Sequence, residues 1–299
     1  MIKNILAIRD DRFGEFLLNI PAFRALKESY PGGNLTLAVS PGVKELAECI
    51  ECADEIAVWD DGFRGNLRKQ KFDVCVVLNP TQEAHWAVFR AGIPRRIGYN
   101  RKWGILLTHK MPDNKCLGLK HEVEYNLDLV ALIGATTADK AVCLGKLPQN
   151  DKAQYAGAIA VHPFTSDSLK QWPIERFRGL AQRIARELKL KAVVVGASEE
   201  SKEFDNLGEN VINLINKTSL VELAQILKQS KLLVSCDSGP MHLAAAVGTP
   251  VVALFRNDLP GKTARRWGPW GQGHSVIEKS SLWEITVDEL SDRIRSVLQ

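Results

Sequence analysis

Two rhythms of apolar residues alternate along this chain. Short unbroken apolar runs, the mark of buried strands, are separated by stretches whose apolar positions fall three and four apart, the mark of amphipathic helices. In the first half, NILAIR at residues 4–9, residues 35–39, 55–59 and FDVCVVL at 72–78 read as strands, and 96–99 as an extended run. Between them, residues 15–30 carry Phe16, Leu17, Ile20, Phe23 and Leu26 on one helical stripe. Pro21 lies inside that stripe, so this helix starts late or kinks there. Helical spacing also marks residues 43–49, 63–69, 84–91 and 121–133. Residues 141–154 are polar and aperiodic, and read as a linker. The alternation then restarts. Strands are expected at 158–162, 191–195, 211–214, 231–236 and 251–255. Helices are expected at 173–188, 198–206, 221–227, 241–247 and 283–298, the third opened by the capping box Ser219-x-x-Glu222. Strands alternating with helices imply parallel, doubly wound sheets. The chain is therefore read as two α/β domains, residues 1–150 and 151–280, followed by a closing helix in 281–299.

The most informative stretch is SCDSGPMHLAAAVGTPVVALF, residues 235–255. A strand ends in a small-residue loop, and a short helix begins with a proline near its first position, where the missing N–H costs nothing. Such a helix start carries unpaired N–H groups and partial positive charge, a seat for phosphate or diphosphate. Ser238 and Gly239 allow close approach of a ligand, and His242 lies one turn in. The blander alternative is that Asp237 or Ser238 merely caps the helix and His242 packs. Neither half carries G-x-G-x-x-G after its first strand, which argues against a dinucleotide oxidoreductase.

The pattern D-S-G-P-x-H-x-A-A-A-x-G-x-P resembles the signature of glycosyltransferase family 9, the heptosyltransferases. The resemblance implies that Asp237, Ser238, Gly239 and His242 line a pocket for the diphosphate of a nucleotide sugar. It implies the GT-B fold, two Rossmann-like doubly wound domains facing across a cleft. The closing helix is then expected to pack back on the N-terminal domain. Three further stretches carry the same likeness. RDDRFGE at residues 9–15, with Pro21, matches a first turn in which the family places a general-base aspartate after glycine. Here Glu15 follows Gly14, so the carboxylate is one methylene longer; Asp10 and Asp11 stand nearby. PFTSDSLKQW at 163–172, before Pro173, matches a loop of hydroxyl residues and a lysine. Thr165, Ser166 and Lys170 are then candidates for stabilising a leaving diphosphate, on whose oxygen negative charge grows. Glu199 or Glu200, after a strand end, is a candidate for the donor ribose. GIPRRIGY at 92–99 and HEVEYNLD at 121–128 extend the resemblance. With them, Arg95, Arg96, Arg101 and Lys102 are candidate contacts to an anionic acceptor, since arginines suit carboxylates and phosphates. A solvated basic loop is the plain alternative.

Composition narrows this little further. The 299 residues are 45% hydrophobic and 25% charged, as in an ordinary globular protein of two domains. No apolar run approaches the ~20 residues of a membrane span, and the N-terminus reads as a strand rather than a signal peptide, so the cytoplasm is the expected compartment. Six cysteines are scattered, and one C-x-x-C, Cys49 and Cys52, has no companion pair to suggest a metal site. The net charge of +4 suits anionic small molecules or an anionic membrane surface and is too small to argue for nucleic acid.

Together these readings lead to an expected function. The chain is expected to be an inverting glycosyltransferase that needs neither metal nor cofactor. It would move heptose from ADP-heptose to a lipopolysaccharide inner-core acceptor, with peripheral membrane contact open to it. The alternatives are a related transferase with another nucleotide sugar or acceptor, and a non-catalytic nucleotide-sugar-binding protein, suggested by Glu15 in place of aspartate.

Overall fold

The apolar runs become the strands of two parallel sheets, in a computed structural model that describes residues 2–149 and 152–299. The chain divides into two compact units, Met1–Lys146 and Leu147–Gln299. The expected boundary between residues 150 and 151 lies outside the described residues.

The first unit contains β1 (Asn4–Arg9), β2 (Asn34–Val39), β3 (Glu55–Val58), β4 (Val74–Val77), β5 (Arg95–Tyr99) and β6 (His109–Met111). Its helices are α1 (Phe13–Leu17), α2 (Ile20–Ser29), α3 (Lys44–Ala47), α4 (Asp61–Gln70), α5 (Gln82–Arg90) and α6 (Glu122–Ala131). The sheet runs β3-β2-β1-β4-β5-β6, every pair parallel. Strands covered on both faces bury nearly every residue, which is why β1, β2 and β4 read as unbroken apolar runs rather than alternating ones. The expected 15–30 helix is in fact two. α1 closes at Leu18, and α2 starts afresh with Pro21 in its first turn, where no N–H is needed. Asn19, at the join, donates from Nδ2 to the Glu15 carbonyl at 2.6 Å. Strand β6 has no counterpart among the expected elements. Its HKM sequence lies at the sheet edge with both outer faces largely open, so no apolar pattern announces it. All six cysteines are free thiols. Burial pushes Cys52 up to about 11, and Cys49 is raised by the same cause, so the C-x-x-C pair is poorly nucleophilic.

The second unit repeats the winding. Its strands are β7 (Ile159–His162), β8 (Ala192–Val194), β9 (Val211–Asn213), β10 (Leu232–Cys236), β11 (Val251–Arg256) and β12 (Ser275–Lys279). Its helices are α7 (Ile174–Glu187), α8 (Leu220–Gln229), α9 (Gly239–Ala246), α10 (Ala264–Trp267) and α11 (Val287–Leu298). The order β12-β11-β10-β7-β8-β9 is the mirror listing of the first sheet, again all parallel. The Ser219 capping box forms as expected: Ser219 Oγ accepts from the Glu222 N–H at 3.2 Å, and Glu222 Oε2 from the Ser219 N–H at 2.9 Å. Two expectations fail in detail. Residues 198–206 form short 3₁₀ turns (Glu199–Phe204) with Glu200 outside helical geometry, because Ser198 caps locally and Phe204 is drawn into the core. The closing helix begins at Val287, after a separate 3₁₀ turn at Leu282–Glu284. Leu290 and Ile294 of α11 enter the same core as Trp172, Phe177 and Ile184, and α11 lies along α7 within this unit. Among the described residues no helix is long and apolar enough to cross a membrane.

In both sheets the order reverses once, between β1 and β4 and between β7 and β10. Crevices at such reversals, beyond the carboxyl ends of the strands, are where open α/β sheets bind ligands.

Candidate active site

The β7/β10 reversal gathers most of the expected donor residues. Strand β7 ends at His162 and leads into the loop 163–172; β10 ends at Cys236 and leads through Asp237 into α9. The loop is held at both ends. Trp172 is fully buried, packs edge-on against Phe177 at 4.7 Å, and donates from Nε1 to the Ile285 carbonyl at 3.0 Å. Gln171 staples the loop closed: its Oε1 accepts from the Thr165 N–H at 3.1 Å, and its Nε2 donates to the carbonyls of Pro163 and Trp172. Asp167 accepts from the Leu169 N–H at 3.1 Å and from Lys262 Nζ at 3.2 Å. So constrained, Lys170 reaches across to Asp237 and donates from Nζ to its Oδ2, with both side chains mostly buried.

Ser238 occupies the position that would cap α9, yet its hydroxyl makes no cap bond. Instead it bonds His162 Nδ1 at 3.1 Å and Ser235 Oγ at 2.9 Å. The capping alternative for Ser238 therefore fails. With Pro240 in the first turn, no side chain at the cap position serves the N–H groups at the start of α9. Burial depresses His162 to about 4, so its imidazole is neutral at pH 7. Gly196, at the carboxyl end of β8, has φ +138°, and a Cβ there would stand 3.0 Å from both His162 and Phe164. His242 is buried in the first turn of α9. Thr165 is half-buried and Ser166 exposed on the same loop. Glu199 is exposed in the turn after β8, which pairs parallel with β7, and so stands at the same carboxyl end of the sheet.

Sequence reasoning missed Gln171, His162 and Ser235 as the support beneath these groups, and Lys262 and Arg256 as further cations beside the loop. Arg256 donates to the Leu169 carbonyl at 3.4 Å and grips Asp258 through two bonds of 2.8 and 2.6 Å. Only the lone glutamine before Trp172 and the histidine closing β7 were visible as signals; isolated cations in a polar loop are not distinctive.

The β1/β4 reversal holds the acid cluster of the first unit. Arg9 is buried, donates to the Leu78 carbonyl at 3.0 Å and grips Asp11 through bonds of 2.7 and 2.9 Å. Burial raises the Asp11 carboxyl above the usual range despite the opposing Arg9 charge. Asp10 accepts from Asn79 Nδ2 at 2.8 Å, across the reversal itself. Glu15, in the first turn of α1, is paired with exposed Arg12 at 2.9 Å. Of the three acids, Glu15 has the most loosely held partner, because an ion pair with an arginine 72% exposed is weakened by water.

The four basic candidates are not brought together. Arg95 and Arg96 begin β5, at the opposite end of the sheet from Glu15. Arg96 donates to the carbonyls of Leu106 and Ile93, which fixes its guanidinium in a structural role. Arg101 and Lys102 follow the carboxyl end of β5; Arg101 pairs with Asp113 at 3.2 Å, and the Lys102 carbonyl accepts from His85 Nδ1 at 2.6 Å. Among the described residues no group of three or more His, Cys, Asp or Glu is gathered as metal ligands would be.

Known proteins share this architecture. The profile of glycosyltransferase family 9 (heptosyltransferase) matches residues 62–290. Lipooligosaccharide heptosyltransferase 2 of Haemophilus influenzae is 24% identical, over 87% of this chain and 85% of its own. The solved structure of E. coli ADP-heptose lps heptosyltransferase II superposes with a TM-score of 0.83 at 21% identity, covering 99% of this chain and 98% of that one. E. coli heptosyltransferase WaaC with ADP-2-deoxy-2-fluoro heptose gives 0.77 at 21% identity, covering 98% and 99%. The two sheets with their helices are thus the GT-B fold.

Proposed function

The chain belongs to glycosyltransferase family 9 and is a glycosyltransferase; from that premise we propose that it transfers heptose from ADP-heptose to an anionic inner-core lipopolysaccharide acceptor, inverting the anomeric carbon. The reading is carried by the β7/β10 reversal, where Lys170, Asp237, Ser238 and the start of α9 converge. The relatives whose names include ADP-heptose or a heptosyltransferase activity support the donor and acceptor class.

The reaction follows from these groups. Glu15 accepts the proton of an acceptor hydroxyl, whose oxygen attacks the anomeric carbon of the donor. The bond from that carbon to the diphosphate oxygen breaks, and ADP leaves with the electron pair. One displacement inverts the centre. Lys170, held by Asp237 beside the first residues of α9, and the N–H groups of α9 stabilise the charge that grows on the departing oxygen. Thr165, Ser166, Gly239 and His242 complete the diphosphate seat, and Glu199 takes the ribose hydroxyls. Arg101 and Lys102, on the carboxyl side of the first sheet, take the anionic acceptor; Arg95 and Arg96 lie at the other end and are left out of that role. Because Lys170 and α9 supply the positive charge, the reaction is expected to proceed without a divalent metal, in the cytoplasm at the membrane's inner face.

A thermal-shift comparison tests the donor assignment. ADP should raise the melting temperature, with UDP and GDP at the same concentration giving much smaller shifts. An equal response to all three, or none to ADP, contradicts it.

A further inference from the structure

The outer face of α5 and the tip of the connection from β5 to β6 carry an aromatic and cationic surface; apart from Arg101 and Lys102 at its edge, the proposed chemistry does not use it. We infer that this surface docks on a bilayer containing anionic lipid. The cause is topological. In most of the first sheet, helices cover the crossovers between parallel strands; here residues 100–108 cross as a loop with one 3₁₀ turn, Gly104–Leu106. The loop is tied to α5 by the His85–Lys102 bond and to β5 by Arg96 on the Leu106 carbonyl, but it covers little of the helix. Trp86, Phe89, Trp103 and Ile105 are left 44%, 43%, 49% and 81% exposed. They are not scattered: Trp86 stacks on Phe89 at 5.9 Å and meets Trp103 edge-on at 5.7 Å. Lys102 and Trp103 both have positive φ, an uncommon geometry for side chains of this size, and Trp103 is nonetheless turned to solvent.

Charge selects the occupant. Residues 82–113 contain six arginines and lysines (Arg90, Arg95, Arg96, Arg101, Lys102, Lys110) against two acids, Glu83 and Asp113, which pair with Arg64 and Arg101. That stretch alone carries as much net charge as the whole chain, +4. Arg90 and Arg96 lie over the Trp86 and Phe89 rings at 5.9 and 5.5 Å, so cations rim the apolar group directly. Tryptophan with arginine suits the level of lipid headgroups, where ring and guanidinium each find their medium. A sugar platform would explain the rings but not Ile105, the most exposed of the four, which has no face to stack and gains only by entering an acyl region. Each cation near an anionic surface adds only a modest attraction, so the contact is reversible and salt-sensitive.

The test uses the purified full chain sedimented with vesicles. One set contains phosphatidylethanolamine and phosphatidylglycerol; the other is phosphatidylcholine alone. The chain should bind the anionic set at about 50 mM salt and lose at least roughly tenfold in affinity at about 500 mM salt or on the neutral set. Ile105→Glu and Arg90→Glu should each weaken anionic binding by roughly tenfold or more. Both should turn over a soluble, deacylated acceptor at the parent rate and keep the parent melting temperature. Equal binding to both vesicle types, no binding to either, or unchanged binding by the variants overturns the inference. So does loss of soluble-acceptor turnover in a folded variant, which would assign the face to saccharide. Failure of every nucleotide sugar as donor would sink the proposed function and leave the vesicle result intact.

Discussion

His162 shows how one buried side chain ties the site to pH. Its imidazole sits beneath Ser238 and Ser235 with no charge partner, and burial depresses it to about 4 from the 6.5 of an exposed histidine. The unfolded chain takes up this proton on acidification through pH 6.5; the folded chain refuses it until about pH 4. Stability contributed by the neutral form is therefore complete above pH 6.5 and is lost as pH falls between those values, by roughly 3 kcal/mol at most. Denaturant midpoints at pH 7 and at pH 4.5 should differ in the parent and differ much less in His162→Gln. Equal pH dependence in the two proteins would show that the imidazole titrates freely. Two further residues carry the proposed chemistry. Glu15→Ala should lower turnover by about 10²–10⁴-fold while leaving ADP binding unchanged, and Lys170→Ala should lower turnover by about 10²–10³-fold. Measured kcat and ADP affinity separate the two roles, because removing Lys170 should weaken ADP binding as well. A Glu15→Ala chain with parent turnover would remove Glu15 from the role of base.

At the scale of elements, packing explains what could be read from sequence and what could not. Strands buried on both faces announce themselves as apolar runs, and helices with one wet face as stripes; β1, β4, β10, α7 and α8 were legible for that reason. β6, α10 and β12 are short and half-exposed, so neither rhythm marks them. The expected 198–206 helix breaks up because polar residues with a serine start suit a helix locally, while Phe204 and the Asn216 brace on Ser198 impose turns. At the site, Asp237, Ser238 and Lys170 were legible as a motif, but their support was not. No spacing reveals that Gln171 closes the loop or that Ser238 turns to His162 instead of capping α9. Gly196 offers an element-level test. Gly196→Ala must adopt φ +138° and press its Cβ on His162 and Phe164, neighbours 3.0 Å away. It should lower the melting temperature and weaken ADP binding together, since the same imidazole supports Ser238. A folded Gly196→Ala chain with parent stability would mean that the β8 turn relaxes freely.

For the whole molecule, two units each carry a complete doubly wound sheet and a single reversal point. The proposed donor groups all lie in the second unit and the proposed base in the first. A ligand of the native state stabilises the part it binds, by about 2.7 kcal/mol at a hundredfold excess over Kd. In calorimetry, ADP should raise the transition of the second unit, followed by the fluorescence of buried Trp172, with little effect on residues of the first. A shift confined to the first unit would reverse the assignment of the two sheets.

The central claim is transfer itself, and ADP release from ADP-heptose, in chelator, with and without a deacylated inner-core acceptor, tests it most directly. Release that depends on acceptor, persists without divalent metal and collapses in Glu15→Ala is the predicted result. Release that needs added metal, or tight ADP-heptose binding with no release on any core acceptor, would contradict it.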